Sequence, residues 1–200
     1  MEYTRTDKGI VADFSFNKLT NLKLETFLQN VGVEGVRSTR VLGTPKKAEN
    51  DKYLTRSIWL NNNRIKSLGG FDVLIDALLV HPQQLMWVDL SFNYIRTIDE
   101  VLLKFPKLKI LYLHGNCITD LDEIFKLREL KELRTITLQG NPISNLPKYR
   151  NYVISSLPQI FNLDFTPVLK TDKMMPLLPE VIKKIEQSKK QQAKAAKEAK

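Results

Sequence analysis

Few residues in this sequence combine the side-chain types and the spacing that catalysis requires. His114 is expected one strand away from Asp89, and Ser91 is the only nucleophile near this possible pair. No oxyanion hole is recognisable beside them, and an unactivated serine is a weak nucleophile. The second histidine, His81, stands at a predicted helix end, and Cys117 is the only cysteine. The sequence therefore predicts a protein that is not an enzyme and has no small-molecule substrate.

Metal and cofactor chemistry also lacks its usual signatures. The sequence has no glycine-rich phosphate loop and no histidine or cysteine cluster with metal-ligand spacing, so no cofactor is expected. A single cysteine rules out an intramolecular disulfide, and no Asn-x-Ser/Thr acceptor is present, which favours a reducing compartment. No apolar run is long enough for a membrane span or a secretion signal. We expect a soluble cytoplasmic protein in which Cys117 is a structural thiol.

One pattern recurs four times between residues 54 and 146: Leu-x-x-Leu-x-Leu-x-x-Asn-x-Ile, with another aliphatic residue three positions later. Its asparagines are Asn63, Asn93, Asn116 and Asn141, which are 30, 23 and 25 residues apart. In the first copy Thr55 replaces the leading leucine, and helical spacing of apolar residues predicts a helix over residues 71–80. The period and the signature are those of a leucine-rich repeat.

Each copy predicts a short strand followed by a turn. The Leu-x-Leu core alternates with a period of two, which indicates a strand with one buried face. The asparagine follows where the chain turns back, and its amide can bond backbone groups that a buried turn leaves unpaired. One repeat cannot bury its own apolar face, so neighbours must stack. The predicted fold is α/β, a leucine-rich-repeat solenoid with a short parallel sheet on its concave face.

The repeats divide the chain into four predicted parts. Residues 1–53 are an N-terminal arm and linker, 54–146 the repeats, 147–166 a C-terminal cap, and 167–200 a linker and helical tail. The cap is needed because the last repeat would otherwise expose an apolar face and a strand edge. Residues 14–31 are either an arm that covers the open end of the stack or an amphipathic helix. Their Leu19-x-x-Leu22-x-Leu24 begins like a repeat, but Phe27 stands where the asparagine belongs.

The net charge of +9 favours acidic partners. Part of the excess lies in the tail, in Lys183, Lys184, Lys189, Lys190, Lys194 and Lys197. This concentration weakens the case for nucleic acid, which we do not expect as a partner. Residues 180–200 contain strong helix formers and neither glycine nor proline. The tail is therefore predicted to be a helix that either meets an acidic partner or only increases solubility.

The strand residues that point away from the core form the predicted concave face. They include both tryptophans of the chain and a mostly basic outer column. The candidate partner-binding residues are Trp59, Trp87, Phe92, Tyr112, Ile110, Met86, Asp89, His114, Arg56, Lys109 and Arg134. Exposed patches of this kind mark interaction surfaces, where Trp, Tyr and Arg are enriched. Alternatively, the chain's own N-terminal arm covers the patch through Phe14 and Phe16.

Several stretches carry more than a generic repeat: "SIWLNNNRI", "LMWVDLSFNYIRTID", "LKILYLHGNCI", "LRTITLQGNPI" and "KYRNYVISSLPQIFNLDF". Over about residues 54–166 they resemble the leucine-rich repeat-containing protein 51 family. The resemblance implies a non-enzymatic structural or adaptor protein of the ciliary axoneme, located in the cytoplasm and cilium, with axonemal proteins and tubulin as expected partners. Two alternatives remain open, a ribonucleoprotein adaptor and a regulatory subunit of a phosphatase.

Overall fold

One sheet runs through the whole molecule. The computed structural model describes residues 10–31 and 45–198, with side chains up to residue 194. The strands are β1 (Ala12–Asp13), β2 (Ser57–Trp59), β3 (Trp87–Asp89), β4 (Ile110–Tyr112), β5 (Thr135–Thr137), β6 (Asn162–Leu163) and β7 (Thr166–Pro167). They pair in sequence order, parallel from β1 to β6 and antiparallel between β6 and β7. The predicted leucine-rich-repeat fold is confirmed.

Helical segments connect the strands, and two more follow the last strand. The α-helices are α1 (Leu24–Val31), α2 (Phe71–Leu78), α3 (Asp122–Phe125), α4 (Tyr149–Ser156), α5 (Lys170–Met174) and α6 (Pro179–Glu198). Shorter 3-10 turns span Pro82–Gln84, Glu100–Lys104, Lys126–Glu129 and Pro142–Asn145. Helix α2 is the one predicted over residues 71–80, and His81-Pro82 follows its end because proline cannot continue a helix. These segments cover the side of the core opposite the concave face of the sheet.

The four repeat asparagines lie between neighbouring repeats. Asn93 donates from Nδ2 to the carbonyl oxygens of Leu60 and Leu90, both at 3.0 Å, and its Oδ1 accepts from Ile65 N at 3.0 Å. The same three bonds recur at Asn63, Asn116 and Asn141. Each amide thus satisfies buried backbone groups of two repeats at once, which is why the signature requires asparagine.

A left-handed residue precedes each asparagine. The φ values are 53° at Asn62, 52° at Phe92, 66° at Gly115 and 72° at Gly140. The chain turns out of the strand at this point, and the positive φ directs the asparagine side chain into the turn. Glycine adopts this conformation freely, whereas a phenylalanine there is strained by about 1–2 kcal/mol.

The solenoid begins earlier than the sequence pattern indicates. Ala12 pairs with Ile58, and the amide nitrogen of Phe14 donates to the carbonyl of Trp59 at 2.8 Å. This register places Asn17, not Phe27, at the asparagine position. The stretch "DFSFN" at 13–17 therefore repeats "DLSFN" at 89–93. Phe27 instead lies in α1, where it is 2% exposed. The N-terminal segment therefore contributes both the strand β1 and the helix α1.

The predicted linker at 32–53 is partly packed on the solenoid. Residues 32–44 lie outside the described residues. After them, Lys47 bridges to Tyr53 in antiparallel fashion, and Tyr53 bridges to Leu79. Tyr53 is 6% exposed, and its ring packs edge-to-face on Phe14 at 5.9 Å. The end of the linker is therefore part of the core beside α2.

The C-terminal cap continues the sheet after the last asparagine. Helix α4 and strand β6 bury Val153, Leu157 and Leu163 against the end of the core. The Asp164 carboxylate accepts from Leu138 N at 2.6 Å, and its other oxygen accepts from the Tyr149 hydroxyl at 2.8 Å. The Asp164 carboxylate therefore bonds the backbone amides at the end of β5 and joins them to the cap helix, and the stack ends there.

The segment after the cap is more structured than the predicted linker. It contains β7 and α5, and the Arg150 guanidinium joins it to α4 through Asp172 at 2.8 Å. Helix α6 then packs its first turns through Val181 on Tyr152. An ion pair between Lys184 and Asp122, at 2.7 Å, holds the same contact. The tail helix is thus anchored at its start.

Candidate protein-binding face

A ladder of aromatic rings crosses the concave face. Its members, here called the aromatic ladder, are Trp59, Trp87, Tyr112 and Phe165. Successive ring centroids are 5.4, 5.8 and 5.5 Å apart, and every contact is edge-to-face. Both indoles and the phenol are half-buried, and Phe165 is 54% exposed. The tryptophans therefore lie on the solvent side of the sheet, not within the core.

A second ring contact extends this ladder toward the turns. Phe92 packs on His114 at 5.0 Å, and His114 packs on Phe165 at 5.4 Å. Phe92 is 54% exposed and lies so close to Gly115 that a Cβ there would be 2.7 Å from its ring. The glycine at position 115 therefore permits both the left-handed turn and the close approach of the Phe92 ring.

Phe165 is a member that the sequence analysis missed. It follows the cap strand β6, outside the four repeats whose columns define the predicted face. Its φ is 62° and that of Asp164 is 51°, so the chain turns there as it does before each repeat asparagine. The motif "NLDF" at 162–165, read as a degenerate repeat end, could have indicated it.

The proposed acid–base pair of Asp89 and His114 is not formed. Asp89 accepts from Asn61 Nδ2 at 2.8 Å and from Ser91 Oγ at 2.6 Å, and it is 7% exposed. His114 Nδ1 instead lies 2.8 Å from Thr137 Oγ1. Burial lowers the pKa of His114, against the opposing effect of the Asp89 charge, so the imidazole is neutral at pH 7. Ser91 is thus bonded to a structural carboxylate and not to a base.

Four buried polar atoms of the concave face have no hydrogen-bond partner among the described residues. They are Asp13 Oδ2, Ser57 Oγ, Trp59 Nε1 and Trp87 Nε1. The strand register puts them side by side, because Asp13 pairs with Trp59 and Ser57 with Trp87. Buried polar groups in folded proteins are almost always bonded. The half of the face formed by β1–β3 therefore has unsatisfied donors and acceptors beneath its surface.

Three cations line the N-terminal ends of the strands, and we call them the basic edge: Arg56, Lys109 and Arg134. Arg56 Nη1 lies 4.0 Å from the sulfur of Met86, which is 8% exposed and forms part of the floor rather than the predicted surface. The Arg134 guanidinium donates to the carbonyl of Lys131 at 2.7 Å. Such contacts fix the side chains without neutralising their charge.

The described part of the N-terminal segment does not cover this face. Phe14 is fully buried in the core, and Phe16 is 53% exposed at the edge of the sheet. The segment extends the face by a strand instead of lying over it. Of the predicted tail lysines, Lys183, Lys189, Lys190 and Lys194 are exposed, Lys184 is half-buried, and the side chain of Lys197 lies outside the described residues.

Metal-binding clusters and membrane-spanning helices are both missing from residues 10–31 and 45–198. No group of three or more His, Cys, Asp or Glu side chains there could hold a metal ion. No helix within these ranges is long and apolar enough to cross a membrane. Cys117 is a free, half-buried thiol.

Comparison with known proteins identifies the family. A leucine-rich-repeat family model matches residues 81–199. Leucine-rich repeat-containing protein 51 of Rattus norvegicus is 48% identical over 128 residues, which cover 64% of this chain and 67% of the rat protein. The Mus musculus protein of that name is 42% identical over 162 residues, 80% of each chain. The chain belongs to the leucine-rich repeat-containing protein 51 family.

This member of the leucine-rich repeat-containing protein 51 family shares its fold with a ribonucleoprotein component. The U2 small nuclear ribonucleoprotein A' of Mycosarcoma maydis is 37% identical over 110 residues, 54% of this chain and 42% of that protein. The crystal structure of the Drosophila melanogaster SNF/U2A' complex matches with a TM-score of 0.61 at 24% identity, over 86% of this chain and 82% of that one. Leucine-rich-repeat proteins are typically non-enzymatic modules for protein interaction, which suits the aromatic face.

Proposed function

We propose that this protein is a non-enzymatic adaptor of the ciliary axoneme that binds a partner protein through its concave face. The aromatic ladder carries the binding part of the proposal, because half-exposed Trp and Tyr side chains are the commonest binding hot spots. The resemblance in the repeat motifs supports the axonemal part, together with a location in the cytoplasm and cilium.

The spacing of the ladder favours a helical partner segment. Successive rings are 5.4 to 5.8 Å apart, close to the roughly 5.4 Å pitch of an α-helix. A helix lying across the strands would present one apolar residue to each ring. Six parallel strands at about 4.8 Å make a face roughly 24 Å wide, which matches a helix of about 16 residues. An interface of this size is at the low end of the standard range.

The basic tail offers a second contact. Lys189, Lys190 and Lys194 are exposed on α6 beyond its anchored first turns. Their charge suits an acidic surface such as that of tubulin, and this contact would weaken as the ionic strength rises. A tail that only increases solubility would leave axonemal binding insensitive to its charge.

The first prediction concerns the ladder. Replacing Trp59, Trp87 and Tyr112 together by alanine should abolish incorporation into axonemes, because these rings supply the contact area, while the circular dichroism spectrum stays that of the folded protein. Tyr94→Ala is the matched control, since Tyr94 is 53% exposed but is not part of the ladder. Normal incorporation of the folded triple variant would rule the proposal out.

A ribonucleoprotein adaptor is the second candidate, supported by the similarity to the U2 A' protein. The two candidates differ in where the protein fractionates. An axonemal adaptor remains with detergent-extracted axonemes, whereas a ribonucleoprotein adaptor is found in nuclear particles that RNase disperses.

A further inference from the structure

A small cavity lies on the concave face beside the aromatic ladder. It has a volume of about 220 Å³ and is lined by Ser57, Met86, Trp87, Lys109, Ile110, Arg134 and Thr135. Ser57, Trp87, Ile110 and Thr135 occupy one row of four neighbouring strands. Small-molecule sites usually measure about 300–1,000 Å³, so this cavity has the size of a single side chain.

The floor of the cavity is mostly apolar, and two unpartnered polar atoms lie beneath it. Met86 and Ile110 provide aliphatic surface, and Ser57 is 1% exposed with its hydroxyl unpartnered among the described residues. The Trp87 indole N–H is likewise buried without a partner. Both atoms are already shielded from solvent, so the residues that line the opening determine what the cavity can hold. Met86 and Ile110 suit an apolar stem, and Lys109 and Arg134 suit a polar end.

The sign of that polar end follows from the basic edge. Lys109 and Arg134 line the cavity, and Arg56 stands beside Met86 at its rim. The Glu132 carboxylate lies 3.7 Å from Lys109 and 2.7 Å from Lys107, so it is shared between two cations. Over residues 10–31 and 45–194, the cations of the basic edge and Lys107 outnumber this carboxylate, and the edge is positively charged. A cationic occupant would be repelled, and an anionic one attracted.

We propose that this cavity receives an acidic side chain of the partner segment that lies on the aromatic ladder. This inference rests on the proposed binding function and adds the chemistry that the partner must have. The carboxylate meets Lys109 at the rim, beside Arg134. Its methylene stem packs on Met86 and Ile110. Recognition thus combines an apolar stripe with one fixed acidic residue.

A peptide selection tests the proposal without knowledge of the natural partner. The probe is a displayed library of random helix-forming peptides of about 16 residues, selected on the full-length protein. Peptides whose binding is lost on Trp59→Ala/Trp87→Ala protein report on the concave face. Among these we expect enrichment of Glu or Asp at one fixed spacing from the apolar residues.

Two charge variants then assign the acidic preference to the basic edge. The Arg56→Gln/Lys109→Gln protein should bind a selected peptide about tenfold more weakly, since it loses charge-assisted contacts. It should also bind that peptide and its Glu→Gln version equally well. The matched control is Arg64→Gln/Lys66→Gln, which removes the same charges from exposed positions beyond Asn63, outside the cavity lining. That control should keep the preference.

The possible outcomes distinguish the cavity assignment from the proposed binding function. Tryptophan-dependent peptides without an acidic residue at a fixed position would overturn the cavity assignment and leave the binding function standing. An acidic preference that the Arg64→Gln/Lys66→Gln control also loses would reduce it to general charge attraction and overturn the assignment as well. A selection that yields no tryptophan-dependent peptide would overturn the binding function itself.

Discussion

Each repeat asparagine holds two consecutive repeats together through a single side-chain amide. Asn116 donates to Leu90 O at 3.0 Å and Leu113 O at 2.9 Å, and accepts from Ile95 N at 3.0 Å. Asn17 occupies the same position in the first repeat but bonds, among the described residues, only to Ser15 O at 3.2 Å. The difference follows from position, because a terminal repeat has a neighbour on one side only.

This difference predicts unequal effects on stability. Asn116→Ala should lower the free energy of unfolding by about 3 kcal/mol, since it leaves buried backbone groups of two repeats unbonded. Asn17→Ala should cost less than about 1 kcal/mol. Urea unfolding of the two variants measures both values. Equal losses would mean that the bonds between repeats are not what makes the asparagine necessary.

Phe92 combines backbone strain with an exposed ring, a combination found at functional sites. Phe92→Gly should change the unfolding free energy by less than about 1 kcal/mol, because relief of the left-handed strain offsets the entropy lost by glycine. A selected peptide whose binding requires Trp59 and Trp87 should bind the Phe92→Gly protein about tenfold or more weakly.

Phe16→Gly is the matched control for that prediction, with a φ of 59° and 53% exposure in the turn after β1, two strands away from β3. It should change stability by a similar amount and binding by much less. Equal binding losses in the two variants would count against a specific role for the Phe92 ring.

At the scale of elements, the sequence predicted the interior repeats well and the ends less well. Four Leu-x-Leu strands were recognisable because each is followed by its asparagine. Strand β1 was missed because Ala12 and Phe14 replace the leucines. Phe165 was missed because it follows a strand of only two residues. Burial of Met86 and the hydrogen bonds of Asp89 depend on neighbouring strands, and no pattern within one repeat contains that information.

A tyrosine of the cap makes the stability of the protein decrease at alkaline pH. Burial raises the pKa of Tyr149, and the charge of Asp164, which accepts a hydrogen bond from the Tyr149 hydroxyl, raises it further. In the unfolded chain tyrosine ionises near pH 10. The folded state therefore keeps this contribution below about pH 10 and loses it as the pH rises beyond that value.

Tyr149→Phe should flatten this alkaline decline, although the variant is less stable at pH 7 because Asp164 loses a donor. The free energy of unfolding between pH 8 and about pH 11 measures the slope. Tyr94→Phe, at an exposed position, is the control and should leave the slope unchanged. An unchanged slope in Tyr149→Phe would show that another group controls it.

At the scale of the whole molecule, the concave face is chemically divided along the strands. Aromatic rings occupy its middle and the turn side, and the basic edge follows the strand starts. The N-terminal repeat and the cap close the two ends of the core and leave this face open over the described residues. A surface organised in this way fits a partner segment with an apolar stripe and an acidic flank.

A density map of the native assembly, at side-chain resolution, tests this account most directly. We expect a helix of another protein across the face, in contact with Trp59, Trp87, Tyr112 and Phe165, and an acidic side chain beside Lys109. A map that shows the protein held by its convex side or its tail alone, with only solvent over the aromatic ladder, would contradict it.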